Sequence, residues 1–227
     1  MDMSVKAAFF DVDGTLTTER VWRGIMEYFA RRGERRWTHR FFWVYHLPVY
    51  LMYKLKLVPQ SSFRRPWAAH LAWFVRKLSV AEAEAVWDWV TEEYLKPFWR
   101  KDALEQINAH KRSGHLVVLV SAGPTPLEMR IAGKVGADFA IGTDFEQNSG
   151  YYTGRISGPV CIDAQKAKLA RKAIIQRNLD VNFEASKAYA DSAGDVHLLE
   201  MVGSPIAFHP DDELRPITEA RGWQVIG

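Results

Sequence analysis

Three apolar runs along the chain each stop abruptly at polar residues. Ala7-Ala8-Phe9-Phe10 meets Asp11, "HLVVLV" meets Ser121, and "KAYA" meets Asp191. Short runs without polar alternation point to strands buried on both faces, the usual state of a parallel sheet. "ADFAIGTDF" and "SPIAFHP" read as further strands, and "SGYYTGRISGP" as a hairpin with Gly154 near its turn. Between these runs the apolar positions recur at helical spacing. Leu104, Ile107 and His110 mark a helix stopped by Gly114. "TPLEMRIAGKVG" and "AQKAKLARKAIIQRNL" mark two more, and "HLLEMVG" a short one.

From Thr17 to about Trp99 the pattern is almost wholly helical. Ser79-Val-Ala-Glu82 has the form of a capping box, opening a helix with Val86, Trp89 and Val90 on its inner face; Pro97 helps close the region. Strands alternating with helices predict a parallel α/β sheet. The helical stretch after the first strand then reads as an insertion. The expected division is a core of residues 1–16 plus 100–227 and a helical cap of residues 17–99.

Composition changes this picture in two places. Glu19–Arg65 holds eleven Lys/Arg against three Glu, a net of +8, so the rest of the chain, within an overall +3, carries −5. A basic insert beside an acidic body is first read as a solvated helical face; the sharper reading is a surface that attracts phosphorylated substrates or acidic lipid head groups. Inside that insert, Phe41–Tyr53 is 13 uncharged residues rich in aromatics, with His46 and Pro48 among them. It is too short to span a bilayer, which takes about 20 apolar residues. It predicts either a buried helix hairpin or a surface that touches membrane or an apolar substrate. The start of the chain, with Asp2 and only four apolar residues in a row, predicts no signal peptide. A single cysteine, Cys161, excludes an internal disulfide and fits a cytoplasmic setting. No nucleic-acid-binding motif is present, and no nucleic-acid partner is expected.

The candidate chemistry gathers at the strand ends, where open α/β sheets bind their ligands. Asp11 and Asp13, Ser121, and Asp191 and Asp195 follow three strands, and Lys166 opens a helix between the last two. Four carboxylates in one crevice repel one another unless a cation or a proton intervenes. Oxygen-only donors beside a hydroxyl and an ammonium suit Mg²⁺ with a phosphate. Singly, each residue has a plainer role: Asp13 a turn residue, Ser121 a helix cap, Lys166 a solvated lysine, Cys161 a small buried hydrophobe. His46, His70, His110, His115, His197 and His209 have no metal-ligand spacing. The ordered co-occurrence of the acidic, hydroxyl and lysine positions outweighs these separate roles.

These motifs resemble those of the haloacid dehalogenase superfamily, in particular its phosphoserine-phosphatase-like branch. "DVDGT" is similar to the first motif, "VVLVSAG" to the second, "CIDAQKAKL" to the third and "YADSAGDVHLLEMVGSPIAFHP" to the fourth. The resemblance implies a Rossmann-like, three-layer parallel sheet with an inserted helical cap of the C1 type. It implies a Mg²⁺-dependent phosphomonoesterase with Asp11 as nucleophile and Asp13 as acid and base. Metal would be held by Asp11, the Asp13 carbonyl and Asp191, with Asp195 supporting the metal shell. Ser121 and Lys166 would bind the phosphoryl oxygens, with Lys168 the competitor for the lysine role. The implied substrate is a small phosphomonoester, with an amphipathic or lipid-linked one as a variant reached through Phe41–Tyr53. Ala190 and Asp163 stand where glycine is usual, and Asp163 is expected to pair with Lys166. A different class stays open: a membrane- or anion-binding module in which hydrolysis is incidental or lost.

Overall fold

The computed structural model describes residues 4–227, with Gln60 and Ser61 described by backbone alone. Asp2, and the first three positions of the expected 1–16 segment, lie outside the described residues. The elements in chain order begin with β1 (Ala7–Phe10), α1 (Val21–Arg31), α2 (Arg36–Lys54), α3 (Gln60–His70), α4 (Ala72–Val75) and α5 (Val80–Trp89). A π-helical turn (Val90–Tyr94) and a 3₁₀ turn (Lys96–Phe98) lead to α6 (Lys101–Arg112), β2 (Leu116–Pro124), α7 (Thr125–Val135) and β3 (Phe139–Thr143). The hairpin β4 (Phe145–Asn148) and β5 (Tyr151–Ile156) follows. The chain ends with α8 (Ala164–Gln176), β6 (Lys187–Ala190), α9 (Val196–Leu199), β7 (Ser204–Phe208), α10 (Leu214–Arg221) and β8 (Gln224–Ile226).

Six strands form one parallel sheet in the order β3-β2-β1-β6-β7-β8. The alternation along β1 explains the layers. Ala8 and Phe10 join an apolar core shared with α1, α5, α6 and α7, whereas Ala7 and Phe9 join a second core with α8 and α9. Burial on both faces is why β1 reads as an unbroken apolar run. The order reverses between β1 and β6: the chain builds outward from β1 through β2 and β3, then restarts at β6. Beyond the carboxyl ends of strands at such a switch point a crevice opens.

The helices from α1 to α5 lie between β1 and α6. Two backbone bonds tie the segment's entry to its exit, Thr18 N–H to Phe98 O and Arg100 N–H to Leu16 O, both 2.9 Å. Inside it, Phe29, Phe42, Trp67 and Phe74 pack as an aromatic cluster. The capping box at Ser79 is formed as expected, with the hydroxyl accepting from Glu82 N–H and the Glu82 carboxylate accepting from Ser79 N–H. Trp87, rather than Trp89, is the fully buried tryptophan of α5. Lys77 N–H and Val80 N–H donate to the Tyr152 and Gly150 carbonyls, fastening the segment to the hairpin.

Two local expectations need correction. β2 does not stop at Ser121; it bulges after Val120 and re-pairs through Pro124 with Thr143. The hairpin turns at Ser149-Gly150, both with positive φ, and Gly154 lies within β5. α10 and β8, whose short polar sequences carry little periodicity, complete the sheet edge. Segment Phe41–Tyr53 belongs to one 19-residue helix, α2, which buries Phe42 and His46 and exposes Phe41, Trp43, Val44, Tyr45, Leu47, Leu51 and Met52. Among the described residues no helix is long and apolar enough to cross a membrane.

Candidate active site

Asp11 and Asp191 meet because β1 and β6 are neighbours. Phe10 pairs with Tyr189, and Asp11 N–H donates to the Tyr189 carbonyl at 3.0 Å. Each aspartate is thus the first residue past the carboxyl end of its strand. Asp195 reaches the same point from the turn after β6. Oxygens of Asp11, Asp191 and Asp195 lie within 4.8 Å of one another, and all three residues are buried. Thr15 touches two of them, its hydroxyl donating at 3.3 Å to Asp11 Oδ2 and 3.4 Å to Asp191 Oδ1. Gly14, at φ +103°, permits the approach: a Cβ there would overlap Asp191 Oδ2. Only glycine takes that backbone conformation without strain.

Lys166 is buried in the first turn of α8. Its Nζ lies 2.5 Å from Asp11 Oδ1 and 2.6 Å from Asp195 Oδ1. Lys168, two positions on, is exposed to solvent. Lys166 is satisfied by Asp11 and Asp195, and the expected partnership with Asp163 gives way to these closer carboxylates. Asp163 instead begins α8 at φ 49° and ψ −135°, a conformation that glycine adopts most readily and that accounts for its place in a glycine position. Ala190 sits in regular strand, paired with Ala207.

The electrostatics show a shortage of positive charge. Burial raises the Asp11 carboxyl against the pull of Lys166. Burial and the nearby Asp11 charge push Asp191 up to about 8, with Arg20 and Lys166 opposing. Burial also lifts Asp13 to about 6, held back by Arg20 and by the Val21 N–H. Asp195 goes the other way: Lys166 and Arg64 overcome its burial. The Lys166 ammonium is held firmly protonated, because Asp11 and Asp195 outweigh its desolvation. Three cations, Arg20, Arg64 and Lys166, stand beside four carboxylates, and the donors are all oxygen, as Mg²⁺ prefers. The residues present therefore fit that metal.

Asp13 and Ser121 carry partners that sequence did not foretell. Asp13 Oδ1 accepts from Val21 N–H at 2.8 Å, so the first turn of α1 orients it. The Asp13 carbonyl accepts from Arg20 Nη1, and Arg20 Nη2 lies 3.7 Å from Asp191 Oδ2. The guanidinium thus touches two of the groups assigned to metal. Ser121 Oγ donates to Glu128 Oε1 at 2.7 Å and accepts from Gly123 N–H at 3.2 Å. Glu128 is wholly buried, and burial, reinforced by the Asp13 charge, raises its carboxyl well above the ordinary range. A signal for Glu128 did exist: it lies beside Leu127 on the face of α7 that also carries Ile131 and Ala132. Arg20 had none, since it stands outside every motif. Cys161 is buried, and burial raises its thiol to about 12, so it is no thiolate nucleophile. His46 pairs with His70, and His110 with His115 and Tyr189, away from these carboxylates.

A cavity of about 430 Å³ connects this cluster to the helical segment. Asp11, Asp13, Lys166 and Asp195 line it together with Trp22, Trp43, Tyr50, Phe63 and Trp67 of the helical segment.

Residues 8–200 match the haloacid dehalogenase-like hydrolases. The chain belongs to this family. It sits on the family's phosphoserine-phosphatase-like side, among phosphatases. The protein named phosphoserine phosphatase SerB1 of Mycobacterium tuberculosis (strain ATCC 25618 / H37Rv) is 31% identical over 225 residues, covering 96% of this chain and 70% of that one. A protein of unknown function from Bordetella pertussis Tohama I, solved by crystallography, superposes with a TM-score of 0.82 at 28% identity, covering 99% of both chains. A substrate-bound phosphoserine phosphatase superposes with a TM-score of 0.61 at 21% identity, covering 99% of this chain and 94% of that one, a likeness of fold.

Proposed function

We propose that this hydrolase is a Mg²⁺-dependent phosphomonoesterase that works through an aspartyl-phosphate. The observation that carries the reading is the convergence of Asp11, Asp191, Asp195 and Lys166 at the β1/β6 switch point. Asp11 is placed to attack phosphorus as the bond to the leaving oxygen breaks. Covalent attack by a carboxylate divides one difficult displacement into two easier ones. Asp13 gives its proton to the leaving alcohol and then takes one from the attacking water, whose oxygen displaces Asp11 and releases phosphate. Its raised pKa, near 6, suits both duties. Lys166 and the Ser121 hydroxyl are assigned to the phosphoryl oxygens, where they stabilise charge as it spreads in the transition state. Asp11, the Asp13 carbonyl and Asp191 would hold Mg²⁺, with Asp195 supporting through Lys166 and Ser192. Bound there, the ion would neutralise charge on the phosphate.

Residues 17–99 act in this reading as a cap over the mouth of the crevice. The substrate is a small phosphorylated molecule, the class to which the phosphatase relatives point. The test is release of phosphate from p-nitrophenyl phosphate with and without Mg²⁺, alongside Asp11→Asn. We expect Mg²⁺-dependent turnover, a phosphoenzyme trapped by acid quench, and loss of both in the variant. Undiminished turnover by Asp11→Asn would overturn the reading.

A further inference from the structure

The cavity that starts at the carboxylates changes character within the helical segment. Every charged side chain which that segment contributes to the wall is a guanidinium: Arg20, Arg23 and Arg64. The rest of its contribution is apolar or aromatic, with Trp22, Trp43, Tyr50, Phe63 and Trp67 among it. Among the described lining residues, all the carboxylates belong to the β1, β6 and β7 ends of the body. A substrate ammonium beside those aromatics would find no carboxylate among the lining residues that the segment contributes, and Arg20 and Arg23 are themselves paired, with Asp191 and Glu19. Aromatic faces attract a cation, but the charged residues that share their segment's wall are guanidiniums, of the same sign as an ammonium.

The apolar surface also continues outward. Trp43 lines the cavity yet is 43% exposed, and Leu47 and Leu51 follow it at successive four-residue steps along one side of α2. Both leucines are exposed. A chain longer than the cavity would leave it over this stripe.

We propose that the substrate is a phosphomonoester whose leaving alcohol carries an apolar body and no ammonium group. The inference rests on the phosphomonoesterase reading and deepens it. The phosphate would lie at Asp11, Lys166 and Ser121, and the apolar body between Trp43, Tyr50, Phe63 and Trp67. Arg20 and Arg64, whose charges act on Asp191 and Asp195, would add attraction for the anionic head.

The experiment uses the full chain with Mg²⁺ and the matched esters ethyl, butyl, hexyl and octyl phosphate, kept below their aggregation concentrations, with phosphoserine and phosphocholine alongside. Phosphate release gives kcat/KM for each. Binding of the matching alkylphosphonates, followed by calorimetry, reads the same preference without turnover. We expect kcat/KM to climb by about two- to fourfold per methylene, the range for partial to full burial of each group, and to exceed that for both amines. Trp43→Ala, at a partly exposed position, should shrink the octyl-to-ethyl ratio several-fold, and Tyr50→Ala should do the same. A flat alkyl series, or preference for phosphoserine or phosphocholine, would overturn the proposal while leaving the phosphomonoesterase reading intact. An octyl-to-ethyl ratio unchanged in both variants would overturn it too. Graded phosphonate binding without hydrolysis of any ester would uphold the apolar site and sink the phosphatase reading; ungraded binding without hydrolysis would sink both.

Discussion

Ser121 Oγ stands 2.7 Å from Glu128 Oε1, in a place where neither group meets water. The proton between them decides what Ser121 offers a phosphate. An ionised Glu128 takes the hydroxyl proton and adds a negative charge behind it. A neutral Glu128 can donate to Ser121 Oγ and free the hydroxyl proton for a phosphoryl oxygen. Burial and the Asp13 charge favour the neutral form by raising the carboxyl's pKa. Glu128→Gln is therefore expected to keep activity within a few-fold at neutral pH. The competitive inhibition constant of inorganic phosphate should rise in wild type relative to the variant as alkali ionises Glu128. Taking the ratio of the two proteins removes the titration of phosphate itself. A ratio that stays constant with pH would show that Glu128 plays no part in anion binding.

The same shift has a consequence for stability. A carboxyl with a raised pKa holds its proton more tightly folded than unfolded. Its contribution is full below the unfolded pKa, near 4.5, and is lost as pH rises through the folded value. Glu128→Gln should match wild type in acid and exceed it at pH 8, by about 2–4 °C in Tm for each kcal/mol recovered. Thermal melts at both pH values check this; equal Tm values at pH 8 would count against a desolvated carboxylate.

Gly14→Ala tests the carboxylate cluster. The residue sits at φ +103°, and its new methyl group would overlap Asp191 Oδ2. Asp191 must turn away or the loop must shift. Displacing a ligand's support commonly costs 10–100-fold in metal affinity, and a loss of about that size in the Mg²⁺ concentration for half-maximal activity is expected. A Mg²⁺ titration that superposes on wild type would remove Asp191 from the metal site.

Arg20 competes for the same groups. Its guanidinium binds the Asp13 carbonyl and faces Asp191, two of the oxygens assigned to Mg²⁺. Ion and guanidinium repel at that range, and a unit charge a few ångströms away is worth on the order of 1 kcal/mol or more. Arg20→Met is accordingly expected to lower the Mg²⁺ needed for half-maximal activity by roughly tenfold. KM for substrate should rise if Arg20 also attracts the anion, so the two readouts separate its roles. An increased Mg²⁺ requirement would mean that Arg20 supports the metal.

What sequence could and could not tell follows from how each feature is built. β1, β2 and β6 are legible because strands covered on both faces need unbroken apolar runs, and Asp11 and Asp191 are legible because they end them. The capping box at Ser79 is legible because its two hydrogen bonds lie three residues apart. Arg20 and Arg64 are not, because their importance comes from contacts across the crevice, to Asp191 and toward Asp195, that no local pattern encodes. The end of β2 is not legible, because a polar Ser121 resembles a strand end, whereas a bulge carries the strand on to Pro124. Phe41–Tyr53 left two readings open, a buried hairpin or an apolar surface. α2 is a single helix with one buried side, at Phe42 and His46, and an exposed aromatic one.

Asp13 links the crevice to the helical segment, since its Oδ1 accepts from Val21 N–H at the start of α1. That bond fixes one oxygen, and the proposed reaction assigns the other to the leaving group. If Asp13 is the acid, its removal matters in proportion to how badly the departing oxygen needs a proton. p-Nitrophenolate leaves readily without one; an alkoxide does not. Asp13→Asn keeps the shape and the carbonyl, and its amide oxygen can still accept from Val21 N–H. We expect alkyl phosphates to lose about 10²–10⁴-fold in kcat, the usual range for general acid–base catalysis, and p-nitrophenyl phosphate to lose far less in the first, phosphoenzyme-forming step. Rapid-quench measurement of that burst is the proper readout, because the second step also needs Asp13 as a base and would slow for every ester alike. Equal slowing of the burst for both leaving groups would leave Asp13 as a structural turn residue that holds α1 in place.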